Sequence, residues 1–293
     1  MTRNRSKLTL FWLLLIALFG EINSGICQSE TRSVILFPRT RLFHKKLADP
    51  AEVQLSVRFL SGRGEFGGNI GYSAGLVQFQ LRNVPIQLRI EGNTFLVSKL
   101  ETPDFPVQTA DFTVAFPLEL KANHFAVRLK WSHTSSHLGD DFNRIDNVDD
   151  AIEPKRATAA LFLRALKFSR EHITLLGAYQ TPRVRLYAGS IWVYHVANDL
   201  SNNPAQSSLT PEAGIELFSN RKELTKLYVA GDFKTQQEFD WHVSYNLQAG
   251  IIVGRHALRQ MRLAMEFYRG QSNQGQFLAR KEHDLNLVLA FDF

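Results

Sequence analysis

The sequence predicts an all-β chain, an antiparallel up-and-down transmembrane barrel of about 12 strands within a range of roughly 10 to 14. Three observations predict it. The last segment, Glu282–Phe293, sets an apolar parity from Leu285 to Phe293 against a mostly polar one. The same alternation recurs along the chain, which is 44% hydrophobic and holds 22 Phe, yet contains no second long apolar run. The first residues have the make-up of an export signal.

In the last segment, Leu285, Leu287, Leu289, Phe291 and Phe293 share one parity, and Asp284, Asn286 and Asp292 the other. A period of two puts these sets on opposite faces of a strand. An apolar row that runs to a terminal Phe suits a strand closing a barrel in lipid. Other stretches repeat the pattern. Ile86, Leu88 and Ile90 alternate with Gln87, Arg89 and Glu91, and Phe112, Val114, Phe116 and Leu118 with Asp111, Thr113 and Glu119. Val243, Tyr245 and Leu247 alternate with Ser244, Asn246 and Gln248, and Met261, Leu263 and Met265 with Arg262 and Glu266. A barrel strand spends every second residue on lipid, so its apolar content is spread out.

At the other end, Arg3, Arg5 and Lys7 precede the apolar run Leu8–Phe19. That run is too short for a membrane helix, which needs about 20 residues, and fits a signal h-region. Residues 1–27 are therefore expected to be a removed signal peptide and the destination the outer membrane. Cys27, the only cysteine, is a rival lipidation site, although Ile26 before it is large for a lipobox. The first 27 residues carry a net +2 of the formal +6, leaving +4 for the remainder. That excess suits anionic lipid and is too diffuse for nucleic acid. Residues 28–54 lack periodicity and are expected in the periplasm or at the barrel mouth. Residues 55–293 form the barrel.

Short breaks at Asn83-Val84-Pro85, Lys121–His124, Thr181-Pro182, Ser219–Glu223 and Gly254–His256 alternate with longer polar stretches. Bacterial barrels pair short periplasmic turns with longer outer loops, so both chain ends are expected in the periplasm. The lumen parity is rich in charge, and in a barrel this narrow those charges are expected to pair across the interior. The run Leu161–Gln180 is long for one crossing. It is expected to extend past the membrane or to hide a hairpin at Ser169–His172.

One constellation points to chemistry. In Asn123–Ser136, Phe125, Val127, Leu129, Trp131, His133 and Ser135 share a parity. This places His133 and Ser135 outward, beside Trp131 at the interfacial belt. An imidazole and a hydroxyl two residues apart on one strand face can act as base and nucleophile toward an ester. A third group must orient the imidazole, with candidates Asp140, Asp141, Asn143, Asp146 and Asn147. The plain alternative is that both are polar residues where the strand leaves the hydrocarbon. Asp140, Asp141 and Asp146 also offer hard oxygen ligands to Ca²⁺ or to cations bridging lipopolysaccharide. Their spacing lacks the DxDxDG order, so a solvated acidic loop is the expected state. Gly270–Gly275 reads as a flexible outer loop, and the remaining histidines lack metal-ligand spacing. No cofactor is expected otherwise.

The triplet His133-Thr134-Ser135 resembles the His-x-Ser core of outer-membrane phospholipase A and lipid A deacylase barrels. That resemblance implies His133 as base and Ser135 as nucleophile toward lipid acyl esters. The match ends there: Ser136 stands where both families have Asn, and His137 follows. More broadly, Leu47–Pro50, His133–Asp141 and Tyr268–Phe277 look like signature segments of the bacterial envelope family known as domain of unknown function 1207. That resemblance implies a barrel of the Gram-negative cell envelope and no particular activity. Its expected partners are outer-membrane lipid, lipopolysaccharide and the barrel-assembly machinery, for which a terminal aromatic serves as an address in such barrels. The leading functional expectation is a non-enzymatic structural, binding or narrow-channel barrel of unassigned oligomeric state. The alternative is a Ser–His lipid acyl hydrolase.

Overall fold

The computed structural model describes residues 34–61, 64–100, 105–139, 168–198, 207–219, 224–256 and 259–292. Among the described residues thirteen strands run in chain order. They are β1 (Val34–Leu36), β2 (Leu55–Leu60), β3 (Glu65–Leu81), β4 (Val84–Lys99), β5 (Val107–Ala122), β6 (Phe125–Leu138) and β7 (Phe168–Gln180). There follow β8 (Val184–Asn198), β9 (Ser208–Phe218), β10 (Thr225–Gln236), β11 (His242–His256), β12 (Arg259–Gln271) and β13 (Lys281–Asp292). Strands β2 to β13 pair antiparallel, each with its sequence neighbour. The ring closes where β13 pairs with β2, Asn286 opposite Leu60 and Phe291 opposite Leu55. The result is a closed twelve-stranded barrel, as the turn pattern predicts.

Strand β2 has only six residues and covers only the Glu65–Ile70 part of the β3 edge. The extra strand β1 takes that edge lower down, pairing Leu36 with Val77 and Val34 with Phe79. At the tight β3–β4 turn, Arg82 and Asn83 have φ of 48° and 67°. Positive φ at both central residues is what a two-residue hairpin of right-handed strands needs.

The parity prediction holds strand by strand. Val57, Phe59, Ile70, Tyr72, Phe112, Val114, Leu227, Val229, Met265, Leu285 and Leu287 are exposed. Between them Arg58, Gln87, Arg89, Glu119, Arg128, Asn246, Arg262 and Glu266 are buried. A barrel apolar outside and ionic inside is the inverse of a water-soluble one, and matches a lipid surround. The long run before Gln180 gives a single strand from Phe168, with no hairpin at Ser169–His172; residues 161–167 lie outside the described residues. Several strands also run further into the polar stretches than expected, β3 starting at Glu65 and β10 ending at Gln236.

The segment expected at the periplasmic mouth goes further in. After β1 the backbone passes close over Gly75 of β3, where an added Cβ would lie 2.3 Å from Pro38 O. Residues 41–54 then run inside the barrel before rejoining the wall as β2. Phe43 packs on Ala126, Leu176, Ala178 and Tyr187, and Leu47 and Ala48 on Tyr228, Ala230, Ile252, Ala264 and Val288. Alanines on the inward face make room for the passing chain. Its polar groups bind barrel side chains: Leu42 N and Phe43 N donate to Glu119 at 3.2 and 3.1 Å, and Leu47 N donates to Glu216 at 2.7 Å. Asn246 donates to Ala48 O at 2.6 Å and Arg262 to Leu47 O at 3.2 Å. A structureless peptide inside a barrel must have its backbone groups satisfied in this way.

The loop after β12 corrects a second expectation. Gln271, Ser272 and Gln274 are buried, and Gly275–Phe277 forms a short 3₁₀ turn. Gly275 N donates to Asp111 at 2.8 Å, and Gln276 N donates to the Ser136 hydroxyl at 3.1 Å. This loop is a cap tucked against β5 and β6, and not a free outer loop. It packs so closely that a Cβ on Gly275 would lie 2.4 Å from the Phe168 ring.

Candidate functional site

Among the described residues two side-chain clusters are candidates for a functional site, one on the outer wall and one inside. The outer cluster is built on β6. Arg128, Ser132 and Ser136 are buried inward. The opposite parity therefore turns Trp131, His133 and Ser135 outward, all three half-buried. Below them Trp131 stacks on Phe116 with ring centroids 5.9 Å apart, and its indole N–H donates to Tyr194 OH at 2.6 Å. These aromatic residues, with Trp192 beside Tyr194, form an interfacial belt. His133 and Ser135 lie one and two rungs beyond it, toward the long-loop end.

Register then supplies a partner for the imidazole. On β7, Glu171 lies directly opposite His133, and Ser169 opposite Ser135. Glu171 Oε1 is 3.7 Å from His133 Nδ1. This is ion-pair distance and beyond a hydrogen bond. On the far side β8 carries a bulge that brings His195 opposite Glu171. The outward row is thus His133, Glu171, His195, with Ser135 one rung above. Among the described residues no hydrogen bond engages the Ser135 hydroxyl. A carboxylate on a lipid-facing parity is costly unless it is paired, and His133 stands within ion-pair distance of Glu171. Ser135, His133 and Glu171 are thus a hydroxyl, an imidazole and a carboxylate in order across two strands, the residue types that a nucleophile, a base and an orienting acid require.

Sequence reasoning sought the third group in the following loop. Asp140, Asp141, Asn143, Asp146 and Asn147 lie outside the described residues, and so does the Ca²⁺ reading of Asp140, Asp141 and Asp146. Glu171 was missed because strand register, and not sequence spacing, brings it to His133. Ser136, at the position where the hydrolase families have Asn, is turned inward. Its hydroxyl donates to Asp111 and accepts Gln276 N, and its carbonyl accepts Gln276 Nε2 at 2.7 Å. The family-like segments around Ser136 and Gly275 therefore meet in space as a closing device.

The inner cluster joins the third such segment to the barrel. Asp49, Glu212 and Asp232 bring three carboxylates close enough to hold a metal ion. Two ammonium groups of the chain already stand among them. Lys46 pairs with Asp49 at 2.5 Å and with Glu212, and Lys234 with Asp49 at 2.6 Å and Asp232 at 3.3 Å. A divalent ion would have to displace both. Burial pushes the Asp49 carboxyl up, but Lys234 and Lys46 more than offset this and hold it well below the usual carboxylate range. Next to it, burial also raises Glu52, while Arg128, Lys130, Lys46 and Arg41 bring it down to about 2. Arg128 donates to Glu52 at 3.1 Å, to Glu119 at 3.1 Å and to Phe43 O at 3.2 Å, and stacks over the Phe43 ring at 4.4 Å. Buried charges are tolerated only when matched in this way.

No curated protein matches the sequence. Among solved structures, the chain is similar to the Salmonella typhi outer membrane phospholipase (OMPLA) dimer with bound calcium. Identity is 10% over 82% of this chain and 90% of that one, with a TM-score of 0.48. It is similar to LpxR from Salmonella typhimurium at 12% identity over 82% and 99% of the two chains, with a TM-score of 0.37. The translocator domain of the autotransporter NalP from Neisseria meningitidis matches at 10% identity over 99% and 96%, with a TM-score of 0.37. At these levels no residue role passes from those barrels to this one. A family model does match nearly the whole chain, residues 27–293, and the chain belongs to that family, described as Protein of unknown function (DUF1207).

Proposed function

We propose that this barrel is an outer-leaflet lipid hydrolase that cleaves acyl esters with Ser135 as nucleophile, His133 as general base and Glu171 as the group that orients the imidazole. The observation that carries the reading is the cross-strand placement of Glu171 against His133 on the outward face. In the first step Ser135 Oγ attacks the acyl carbonyl carbon as His133 takes the hydroxyl proton. The ester C–O bond breaks, and the alcohol leaves with that proton. Water, deprotonated by His133, then attacks the acyl-serine, releasing the fatty acid and restoring Ser135. Glu171 stabilises the imidazolium in both steps and holds the ring toward Ser135. Membrane phospholipid and lipopolysaccharide present such esters at this depth.

The test is fatty-acid release from detergent-dispersed phospholipid and lipopolysaccharide by the purified protein. Ser135→Ala is expected to lower release about 10³-fold or more, and Glu171→Gln about 10²-fold or more. No release by the parent, or equal release by Ser135→Ala, overturns the reading. The second reading is a closed, non-enzymatic envelope barrel, favoured by the inward commitment of Ser136 and by the peptide that fills the lumen. Planar-bilayer recording addresses its channel variant. A filled lumen is expected to give no conductance steps, and regular steps would restore the narrow channel.

A further inference from the structure

The short-turn end of the barrel holds a cavity of about 980 Å³. Its wall carries seven lysine or arginine side chains against two carboxylates, Glu216 and Asp292. Both carboxylates are already engaged, Glu216 by Arg185 and Asp292 by Lys45 at 2.7 Å. The cation deepest in the wall is Arg89, only 2% exposed. It hydrogen-bonds to neutral oxygens alone: Ser73 Oγ at 2.9 Å, Ser73 O at 2.8 Å, Gln87 Oε1 at 2.9 Å and Thr40 O at 3.4 Å. Elsewhere in this interior a buried guanidinium faces a carboxylate, as Arg128 faces Glu52 and Glu119. Arg89 has no carboxylate within ion-pair distance among the described residues; Glu119 and Glu91 act on it only from further away and are themselves engaged by Arg128 and Arg41.

Its neighbours are basic as well. Gln87 pairs with Glu119 across β4 and β5, so the inward parity that carries Arg89 on β4 carries Lys121 at the short-turn end of β5. The bond from Arg89 to Thr40 O puts Arg39 of the entering peptide alongside. Neither Arg39 nor Lys121 has an ion-pair partner among the described residues. Phe37, Phe218 and Ile252 add apolar wall to the same cavity. Burying a positive charge without a counter-charge in direct contact is unfavourable. A concave set of guanidinium and ammonium donors is complementary to a tetrahedral oxyanion.

We propose that this cavity is a docking site for a phosphate group, free or esterified, held by Arg89 and Lys121 on the wall and Arg39 on the entering peptide. The apolar wall leaves room for the acyl part of a phosphate-bearing lipid, and the free ion needs only the cations. The inference is independent of ester hydrolysis, which is assigned to the opposite end and the outer face of the barrel.

The test is calorimetric titration of the full protein in a neutral detergent at low salt. Inorganic phosphate, glycerol 3-phosphate and dihexanoyl phosphatidate are the probes, with dihexanoylglycerol as the uncharged control. At least one phosphate probe is expected to bind, the control not to bind, and the affinity to fall as salt rises. Lys121→Gln and Arg39→Gln lie at the mouth, outside the buried ion network, and each is expected to weaken binding about tenfold. Binding of all three phosphate probes identifies the phosphate itself as the ligand, and binding of the phosphatidate alone identifies a lipid headgroup. No binding by any phosphate probe, or unchanged binding in both variants, overturns the proposal.

Discussion

Ser135 and Ser136 are neighbours on one strand, chemically identical, and serve opposite ends. Ser136 is buried, bonded to Asp111 and to the Gln276 backbone. Ser135 faces outward with its hydroxyl unengaged among the described residues, beside an imidazole that a carboxylate flanks. The same division runs down β6. Its inward residues, Arg128 above all, fasten the internal peptide, while its outward residues make up the belt and the candidate site. One face holds the fold together, and the other is left available for chemistry. The two faces therefore respond differently to the same substitution.

The largest effect is expected inside. Arg128→Met keeps the volume but removes the guanidinium that Glu52 and Glu119 share, leaving Arg41 near Glu52 and two backbone N–H groups on Glu119; removing one partner of a buried pair costs about 3–5 kcal/mol. Urea unfolding in detergent measures it. A loss below about 1 kcal/mol would mean that the internal peptide is held by something other than these charges. Acid reaches the same network without mutation. Glu52 and Asp49 are both depressed in the folded state, so their contribution is full above the ordinary carboxylate pKa of 4.5 or 3.8 and is lost as pH falls. For Glu52 the loss spans the interval from about 4.5 down to about 2. Amide exchange over residues 42–54 is expected to accelerate across that interval while the barrel strands stay protected. Equal acceleration of both would mean that the peptide and the wall open as one unit.

How much of this was legible in the sequence follows from the kind of information each feature needs. Parity needs only the order of residues, so the outward rows through Leu285 and Val114 and the inward Gln87, Arg89 and Glu119 could be read directly. Turn chemistry around Asn83 and Pro182 gave the strand count for the same reason. Glu171 could not be read, because the register of β7 against β6 decides its facing residue. The internal peptide was hidden too. Lys46, Asp49 and Glu52 show no period, since their partners Glu212, Lys234 and Arg128 come from different strands around the ring. One trace was present: Ala126, Ala178, Ala230 and Ala264 are small residues on an otherwise large and charged inward parity, as a lumen that holds a chain requires. The loop Gly270–Gly275 misled because polarity and glycine describe a buried cap bonded to Asp111 as well as a solvated loop.

Moderate and small effects sharpen the comparison most, since they set the two serines side by side. Ser136→Ala removes a donor to the buried Asp111 and an acceptor for Gln276 N, and is expected to cost about 1–3 kcal/mol. Ser135→Ala deletes a half-exposed hydroxyl with no partner among the described residues, and is expected to change stability by no more than about 0.5 kcal/mol. Both are read by the same unfolding experiment, with fatty-acid release measured on the same preparations. If Ser135 is a nucleophile, its removal leaves the barrel intact and the activity gone, whereas Ser136→Ala lowers stability and leaves the ester chemistry in place below its melting range. Equal destabilisation by the two substitutions would mean that Ser135 is bonded into the wall like its neighbour. A hydroxyl so committed could not turn to His133, and the outer face of β6 would be left as a polar margin of the membrane belt.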